Sequence, residues 1–380
     1  MLMMQDVSFV DPFSLIQGSV NILKLLHLIS IVLMVTAVQA SETVVLADSL
    51  SDYNRSFEVL ANGTVLYIDN DGELTLVSID TPMKTVSFLN DWNPEEHGWA
   101  NPGMIICFDL SPDGEHICFC QQVSVPDNLQ TGDQYIPGPV LVAVCRADGT
   151  GARPLVLSFE VGSGPHFRFT QDSRHIFGSP LLECPATPED FASFVTRDND
   201  NDLIEGYIVD IQDDTRSGGN GGTLGDGFYK NPWSNLIATG SYPTDMIADA
   251  VTGEVFLHDT TYSGNEIISN WVLPDAGLAE DDQQQILRYS DGTEVVNPGE
   301  PVSVFGRLED GRYVFSRGGT SHTVLSGHID WTDFSSEDAE TLSGLEDFID
   351  LWTRVAATPD GKTLIFSSGS NRELYRYDLP

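Results

Sequence analysis

An acidic stretch near the middle of the chain, residues 196–206, has the residue types and spacing most suited to chemistry. It reads TRDNDNDLIEG, with acidic side chains at alternate positions. Alternate carboxylates can turn toward one hard cation, and a later acid with a backbone carbonyl can complete its shell of oxygen ligands. We therefore expect a calcium site formed by Asp198, Asp200, Asp202 and Glu205. A solvated acidic loop is the alternative.

The same stretch resembles the DxDxDG loop of calcium-binding repeats, because its three aspartates match the first three ligand positions of that loop. It departs from the pattern in two places. Leu203 occupies the position of the glycine, and Glu205 comes one residue before the expected final acid. The resemblance implies calcium as the bound cofactor.

Aromatic and histidine side chains suggest a second kind of site. Trp92, His97 and Trp99 lie in DWNPEEHGWANPG, Tyr135 lies in the stretch 121–139, and His322 lies in SHTVLSGHID. Exposed aromatic rings in such positions stack on a sugar or grip a peptide. We therefore predict that these five residues bind a ligand. The alternative is that the aromatic rings only anchor their loops to the strands beneath.

Catalytic signatures are missing from the sequence. It contains no GxSxG nucleophile elbow, no cofactor fingerprint and no CxxC pair. These absences favour a binding protein over an enzyme, without settling the question.

The element that must position these loops is a hairpin that recurs along the chain. In MIICFDL-SPDG-EHICFC, proline and aspartate suit the centre of a type I turn, glycine takes the following φ > 0 position, and the flanks are typical of strands. A second copy is RVAAT-PDG-KTLIFSS. Seven such turns are predicted, centred on Asn62, Asp113, Asp172, Trp233, Asp275, Asp310 and Asp360.

The turns are spaced roughly 35 to 61 residues apart, which predicts repeated units of four strands each. SPDG or TPDG before a strand, with RADGTGARPL on the following strand, resembles the TolB-like, WD-repeat-related bacterial β-propellers. The resemblance covers most of residues 54–380. It implies an all-β propeller of four-stranded blades, seven being favoured over six. The last blade lacks a fourth strand, and we expect ETVVLA at residues 42–47 to supply it and close the ring.

The resemblance also supplies the alternative function. Some TolB-like propellers are lyases with a metal held by histidines on one face of the ring. If His97, His166 and His322 converged in this way, the chain would be a metal-dependent carbohydrate lyase or hydrolase. Our first expectation is a non-catalytic binding or scaffold propeller.

Loop lengths indicate which end of the blades carries the site. In a four-stranded antiparallel blade both hairpin turns lie at one end, and the remaining connections lie at the other. The longest insertions are predicted at that second end, where loops over a rigid scaffold carry function. They are residues 91–103, 121–139, 183–202, 214–226 and 332–350.

The N-terminal residues read as an export signal. Residues 25–38 are almost continuously apolar and are followed by Val38-Gln39-Ala40, which suits signal peptidase. We expect residues 1–40 to be a signal peptide and 41–380 a single propeller domain that is periplasmic or extracellular. An uncleaved anchor is the alternative, although the run is shorter than the ~20 residues that span a bilayer.

Composition limits the partners. The chain has 380 residues, 41% of them hydrophobic, with a formal net charge of −39. Such a charge disfavours nucleic acid and anionic lipid, and favours cations and basic partners. The expected ligand is a protein or a glycan. Adaptation to a salty habitat is the alternative explanation of the charge.

Five cysteines lie in the first half of the chain, so at least one is unpaired. Counting from the SPDG turn places Cys107 opposite Cys118 and Cys145 on the next strand. One disulfide and a set of buried thiols are both compatible with this placement. The only stretch suggesting a helix is residues 335–345.

Overall fold

A computed structural model gives the architecture of the chain. All the residues it describes belong to one compact unit, Thr43–Leu379. The described residues are 43–51, 57–129, 139–159, 166–179, 181–182, 187–189, 191, 203–204, 207–212, 216–218, 228–230, 236–239, 245–249, 255–259, 270–273, 276–278, 286–288, 294–295, 302–308, 310–317, 323–330, 335–345, 355–367 and 372–379.

The described secondary structure is predominantly β. The strands of the first half are β1 Thr43–Ala47, β2 Phe57–Val59, β3 Thr64–Ile68, β4 Leu74–Ser78, β5 Thr81–Ser87, β6 Ile105–Leu110, β7 His116–Gln122, β8 Pro139–Arg146, β9 Arg153–Phe159, β10 His166–Phe169, β11 His175–Ser179 and β12 Leu181–Leu182. Those that follow are β13 Leu203–Ile204, β14 Tyr207–Asp210, β15 Arg216–Gly218, β16 Phe228–Lys230, β17 Leu236–Thr239, β18 Asp245–Asp249, β19 Val255–Asp259, β20 Asn270–Leu273, β21 Ala276–Leu278, β22 Ile286–Arg288, β23 Glu294–Val295, β24 Val302–Arg307, β25 Tyr313–Arg317, β26 Val324–Gly327, β27 Glu340–Thr341, β28 Val355–Ala357, β29 Thr363–Ser367 and β30 Leu374–Asp378.

The strands form antiparallel sheets in which most neighbouring strands are consecutive in the chain. Six of the described sheets have four strands each, in the orders β2–β5, β10-β11-β14-β15, β16–β19, β20–β23, β24–β27 and β1-β30-β29-β28. The remaining sheet, β13-β12-β9-β8-β7-β6, has six strands. The predicted all-β fold of four-stranded antiparallel units is confirmed. The five predicted turn centres that are described each lie between two consecutive, paired strands; they are Asn62, Asp113, Asp172, Asp310 and Asp360. Trp233 and Asp275 lie outside the described residues.

The SPDG hairpin shows why these residues turn the chain. The Ser111 hydroxyl donates to Asp113 Oδ1 at 2.6 Å, and the Gly114 N–H donates to the Ser111 carbonyl at 2.8 Å. Gly114 has φ 73°, in the left-handed region that glycine enters without strain. Thr170 with Asp172 and Thr358 with Asp360 repeat the hydroxyl-to-carboxylate bond.

The same hairpin corrects the predicted register of the cysteines. Cys107 pairs with Cys120, and Cys118 pairs with Asp109. The count was wrong because the turn is longer than four residues: Asp113 Oδ1 accepts the N–H of Glu115, so that residue belongs to the turn. Cys145 lies on β8, the next strand, as predicted. None of the cysteines that the structure describes, Cys107, Cys118, Cys120 and Cys145, is in a disulfide, and all four are buried.

Apolar clusters join neighbouring sheets. One cluster packs Cys107, Val142 and Phe167 between the β6 sheet and the β10 sheet. Another packs Phe57 of the first sheet against Leu374 of the last. Strand β1 pairs with β30, so the beginning and end of the described chain share a sheet. Burial of this apolar area is the main stabilising contribution to the fold.

Helix is a minor component. Among the described residues, helix is limited to two short 3-10 helices, Pro94–His97 and Asp127–Leu129, and to the helical residues 188, 189 and 191. The prediction of a helix at residues 335–345 is wrong, because β27 pairs there with β26 and Ser335 bridges Asp330. Among the described residues, no helix combines the length and the apolar character needed to cross a membrane.

Pairing of β26 with β27 also changes the location of part of the predicted insertion 332–350, which was expected at the end opposite the hairpin turns. The described residues between these strands, 328–330 and 335–339, belong to the connection of the third and fourth strands of a sheet, so they lie at the hairpin-turn end. The side chain of Asp338 accepts the N–H of His328, and His328 lies near Gly311 of the first turn.

Candidate functional site at the insertion end

We call the end opposite the hairpin turns the insertion end. Its best-described part is the insertion between β5 and β6, which contains the helix Pro94–His97. The Asn93 side chain caps this helix by accepting the N–H of Glu95 at 3.0 Å. Gly98, with φ 88°, ends it by donating to the carbonyl of Glu95. Proline within the first turn suits the start of a helix, because no N–H is needed there. These local signals hold His97 in an exposed position.

Trp92 is fixed in place while part of its ring remains exposed. Its Nε1–H donates to Gln121 Oε1 at 2.6 Å, and its ring meets Phe119 edge-on at 5.4 Å between centroids. The His97 ring lies 5.3 Å from the Trp92 ring with a tilt of 32°. Two of the five residues predicted to bind a ligand, Trp92 and His97, are thus brought together.

Gln121 is a residue that sequence reasoning missed. It is buried, and its amide nitrogen donates to the carbonyl of Gly103 at 2.9 Å while its oxygen accepts from Trp92. One side chain therefore ties both ends of the insertion to β7. The polar pair Gln121-Gln122 at the end of an apolar strand is the sequence signal that would have identified it.

Trp99 has a different environment from Trp92. Only 2% of its surface is exposed, and its ring lies 6.2 Å from that of Phe191 in a cluster with Val123 and Leu141. A ring with no exposed face cannot stack on a ligand in this arrangement. For Trp99 the structure favours the alternative reading, in which the aromatic ring anchors the loop.

Three acidic residues lie within a few positions of Trp92 and His97 in the sequence, and two more lie on segments that pack near the insertion. All five are exposed, and within the described part of the chain their carboxylates have no hydrogen-bond or ion-pair partner. The segment 187–189 approaches the insertion, since Pro188 lies beside Gly98. We name Trp92, His97 and these acids the Trp92 patch. The acids are Asp91, Glu95, Glu96, Asp127 and Glu189.

The other predicted site residues cannot be placed. Those predicted to bind calcium or ligand, together with the His166 side chain, lie outside the described residues. Among the residues that are described, no group of three or more histidine, cysteine or acidic side chains could hold a metal ion. The residues outside the description are Tyr135, Asp198, Asp200, Asp202, Glu205 and His322.

The hairpin-turn end uses its carboxylates differently. Burial of Asp172 opposes its ionisation, but donors from Thr170, Arg174 and His175 outweigh this effect and lower the carboxyl pKa to about 2. The pKa of Asp360 is also lowered, chiefly by the hydroxyl of Thr358. A cleft of about 620 Å³ at this end is lined by the first and last sheets.

Comparisons with known proteins identify the fold. No family model matches the chain, and no curated protein matches it. The chain is similar to a chain in the crystal structure of a mitotic checkpoint complex, with 11% identity, a TM-score of 0.50, and 89% of this chain and 95% of that one covered. Together with the four-stranded sheets, this likeness shows that the chain has a β-propeller fold.

Two other solved structures are less similar. One is the C-terminal WD40 domain of Sif2, with 12% identity, a TM-score of 0.47, and 90% of this chain and 99% of that one covered. The other is an oligogalacturonate lyase in complex with manganese, with 12% identity, a TM-score of 0.39, and 84% of this chain and 74% of that one covered.

Proposed function

We propose that this protein is a non-catalytic scaffold that binds another protein through the Trp92 patch. The observation that carries the proposal is the pair of rings at Trp92 and His97, which are held by Gln121 and Phe119 yet remain accessible. A rigid aromatic side chain provides contact area at a small cost in conformational entropy. β-Propellers commonly serve as such scaffolds, which agrees with this use.

The partner that fits the Trp92 patch is basic. The five acids of the patch have no described cation beside them, and the whole chain has only 18 lysines and arginines against 57 acids. An arginine or lysine of a partner can lie over the Trp92 ring while its charge meets Glu95 or Glu96. Electrostatic attraction of this kind mainly speeds association and selects the partner.

The scaffold in this proposal is a ring of seven blades closed by β1. Support comes from the seven predicted turn positions, from the pairing of β1 with β30, and from the cluster that packs Phe57 against Leu374. Closure would remove the exposed edges that an open sheet leaves. A truncation that removes residues 41–47 should then lower the melting temperature sharply.

Export and calcium binding complete the proposal. Both rest on the sequence alone: on the apolar run and Val38-Gln39-Ala40 for export, and on the alternate aspartates of 196–206 for calcium. Export predicts a mature protein that begins near Ser41, which N-terminal sequencing of the protein from its native host would determine.

The binding proposal is tested by comparing variants as bait. The double variant Trp92→Ala, His97→Ala should lose proteins that the wild-type chain captures from its native envelope. The control is Met83→Ala, Val86→Ala, which removes two exposed apolar side chains from strand β5. Capture that survives the first double variant, or that is lost only in the control, would contradict the proposal. Capture of glycans instead would redirect it to a sugar ligand.

A further inference from the structure

Three thiols lie close together at the centre of the β6–β7 hairpin. Cys107 and Cys120 are directly paired across the two strands, and Cys118 lies on the same face of β7. All three belong to the apolar cluster that joins this sheet to the next. Cys145 is also buried, but it packs in a different cluster on the other face.

The geometry singles out one pair. Directly opposed residues in antiparallel strands have Cα atoms about 4.5 to 5.5 Å apart, within the range of about 4.4 to 6.8 Å that a disulfide needs. A diagonal neighbour lies about 7 to 8 Å away, which is too far without movement of the backbone. Both side chains also lie in the same apolar cluster, and each thiol perturbs the pKa of the other, lowering that of Cys107 and raising that of Cys120.

The surroundings also make Cys107 the better nucleophile. The thiol of Cys120 and the guanidinium of Arg168 lower the pKa of Cys107. Arg168 is held beside the strand by its bonds to the carbonyls of Phe108 and Phe167, at 3.1 and 3.2 Å. Burial raises the pKa of Cys145 to about 12 and also raises the pKa of Cys120 well above its ordinary value, so Cys107 is the most readily ionised of these three thiols.

We propose that Cys107 and Cys120 are an oxidation site. The two residues form a reversible disulfide with each other across the strands, and a small-molecule disulfide is the oxidant. The Cys107 thiolate attacks one sulfur of the oxidant and expels the other half as a thiolate. Cys120 gives its proton to that thiolate, attacks the Cys107 sulfur and expels the second half. Two protein thiols become one disulfide, and the oxidant takes up two electrons and two protons to become two thiols.

The disulfide would cross-link β6 and β7, the first two strands of this sheet. Both sulfurs lie in the cluster that holds the β10 sheet, where Asp109 also accepts the N–H of Phe169 at 2.7 Å. Cross-linking the hairpin restricts the unfolded chain and therefore raises the melting temperature. Formation of this disulfide needs only an oxidising compartment, so it does not depend on the proposed protein partner.

Peptide mapping of the full chain tests the assignment. The reduced protein, with Cys184→Ser to remove the remaining cysteine, is incubated with hydroxyethyl disulfide, denatured and alkylated without reduction. A Glu-specific protease cuts after Glu115 and separates Cys107 from the other cysteines, and chymotrypsin cuts after Phe119 and separates Cys118 from Cys120. We expect a cross-linked peptide that contains Cys107 and Cys120 and disappears on reduction.

Serine variants provide the controls. Cys120→Ser should abolish the cross-link, whereas Cys145→Ser and Cys118→Ser should leave it in place. The oxidised chain should also melt at a higher temperature than the reduced chain, and Cys120→Ser should remove that difference. If the mapped bond joins Cys118 to either neighbour, or if no intrachain bond forms while the thiols become modified singly, the proposal is overturned. Mapping of the chain with Cys107 and Cys120 intact decides the matter even if a serine variant folds poorly.

Discussion

At the hairpin-turn end, Asp113, Asp172 and Asp360 accept hydrogen bonds from hydroxyls and N–H groups of their own turns. At the insertion end, Glu95, Glu96 and their acidic neighbours have no such partner among the described residues. Carboxylates of the same kind thus serve two purposes in one chain. Those that their own turn satisfies hold strands together, and those that nothing nearby satisfies remain available to a cation or a partner.

The tryptophans at the insertion end repeat this division on a smaller scale. Trp99 is buried with Phe191, whereas Trp92 is only partly buried and contacts the exposed His97. The sequences around the two residues are similar in composition. Burial therefore distinguishes Trp99, which anchors its loop, from Trp92, which is a candidate to contact a ligand. The following predictions test that separation, and they run from the largest expected effect to the smallest.

Removal of the buried ring should have the largest effect. Trp99→Ala should lower the free energy of unfolding by about 3–5 kcal/mol, because a large cavity would open between Val123 and Leu141. Urea unfolding monitored by circular dichroism measures the loss. Trp99→Phe is the matched control and should cost less, since it keeps an aromatic ring. A loss below about 1 kcal/mol for the alanine variant would show that Trp99 is not an anchor.

Calcium should have the next largest effect. If Asp198, Asp200 and Asp202 bind the ion, calcium should add about 2.7 kcal/mol at a hundredfold excess over Kd. The melting temperature should therefore be higher in millimolar calcium than in sodium chloride of equal ionic strength. Asp200→Ala should abolish the difference while leaving the fold intact. Equal melting temperatures in the two salts would mean that this stretch is a solvated acidic loop.

The turn that contains Asp172 should make a smaller contribution to stability, and this contribution should depend on pH. The Asp172 carboxyl has a pKa of about 2 in the folded chain against an ordinary value of 3.8. A lowered pKa stabilises the fold above the ordinary value, and the contribution is lost as the pH falls from about 4 through 2. Because a third of the side chain is exposed, we expect about 1 kcal/mol after discounting for solvent.

Asp172→Asn measures that contribution. The variant should be less stable than the wild type at pH 7, and the difference should shrink toward pH 2. Equilibrium unfolding in urea across this range gives both values. Glu96→Gln is the control at the insertion end, where no described donor contacts the carboxylate. An Asp172→Asn deficit that stays constant down to pH 2 would contradict the electrostatic explanation.

The fold and the candidate site could be predicted from the sequence only where they depend on interactions between residues close together in the chain. Turn residues such as Asp113 and Gly114 determine their hairpins from short-range hydrogen bonds, so the repeated strands were predictable. The pairing of Cys107 was misjudged because Asp113 also captures the N–H of Glu115 and lengthens the turn. The bond from Trp92 to Gln121 joins residues 29 positions apart, and only the folded sheet brings them together.

Replacing the exposed acids of the insertion end should have the smallest effect on stability. This variant gives the clearest comparison between the insertion end and the hairpin-turn end. Glu95→Gln and Glu96→Gln together should change the free energy of unfolding by less than about 0.5 kcal/mol, since neither side chain contacts a described partner. The same variant should bind the captured basic partner more slowly, because it removes two attractive charges. Association rates at low and at high salt give the test, with the wild type losing its advantage as salt screens the charges. If the variant is destabilised and its association rate is unchanged, these acids are structural and the contrast between the two ends fails.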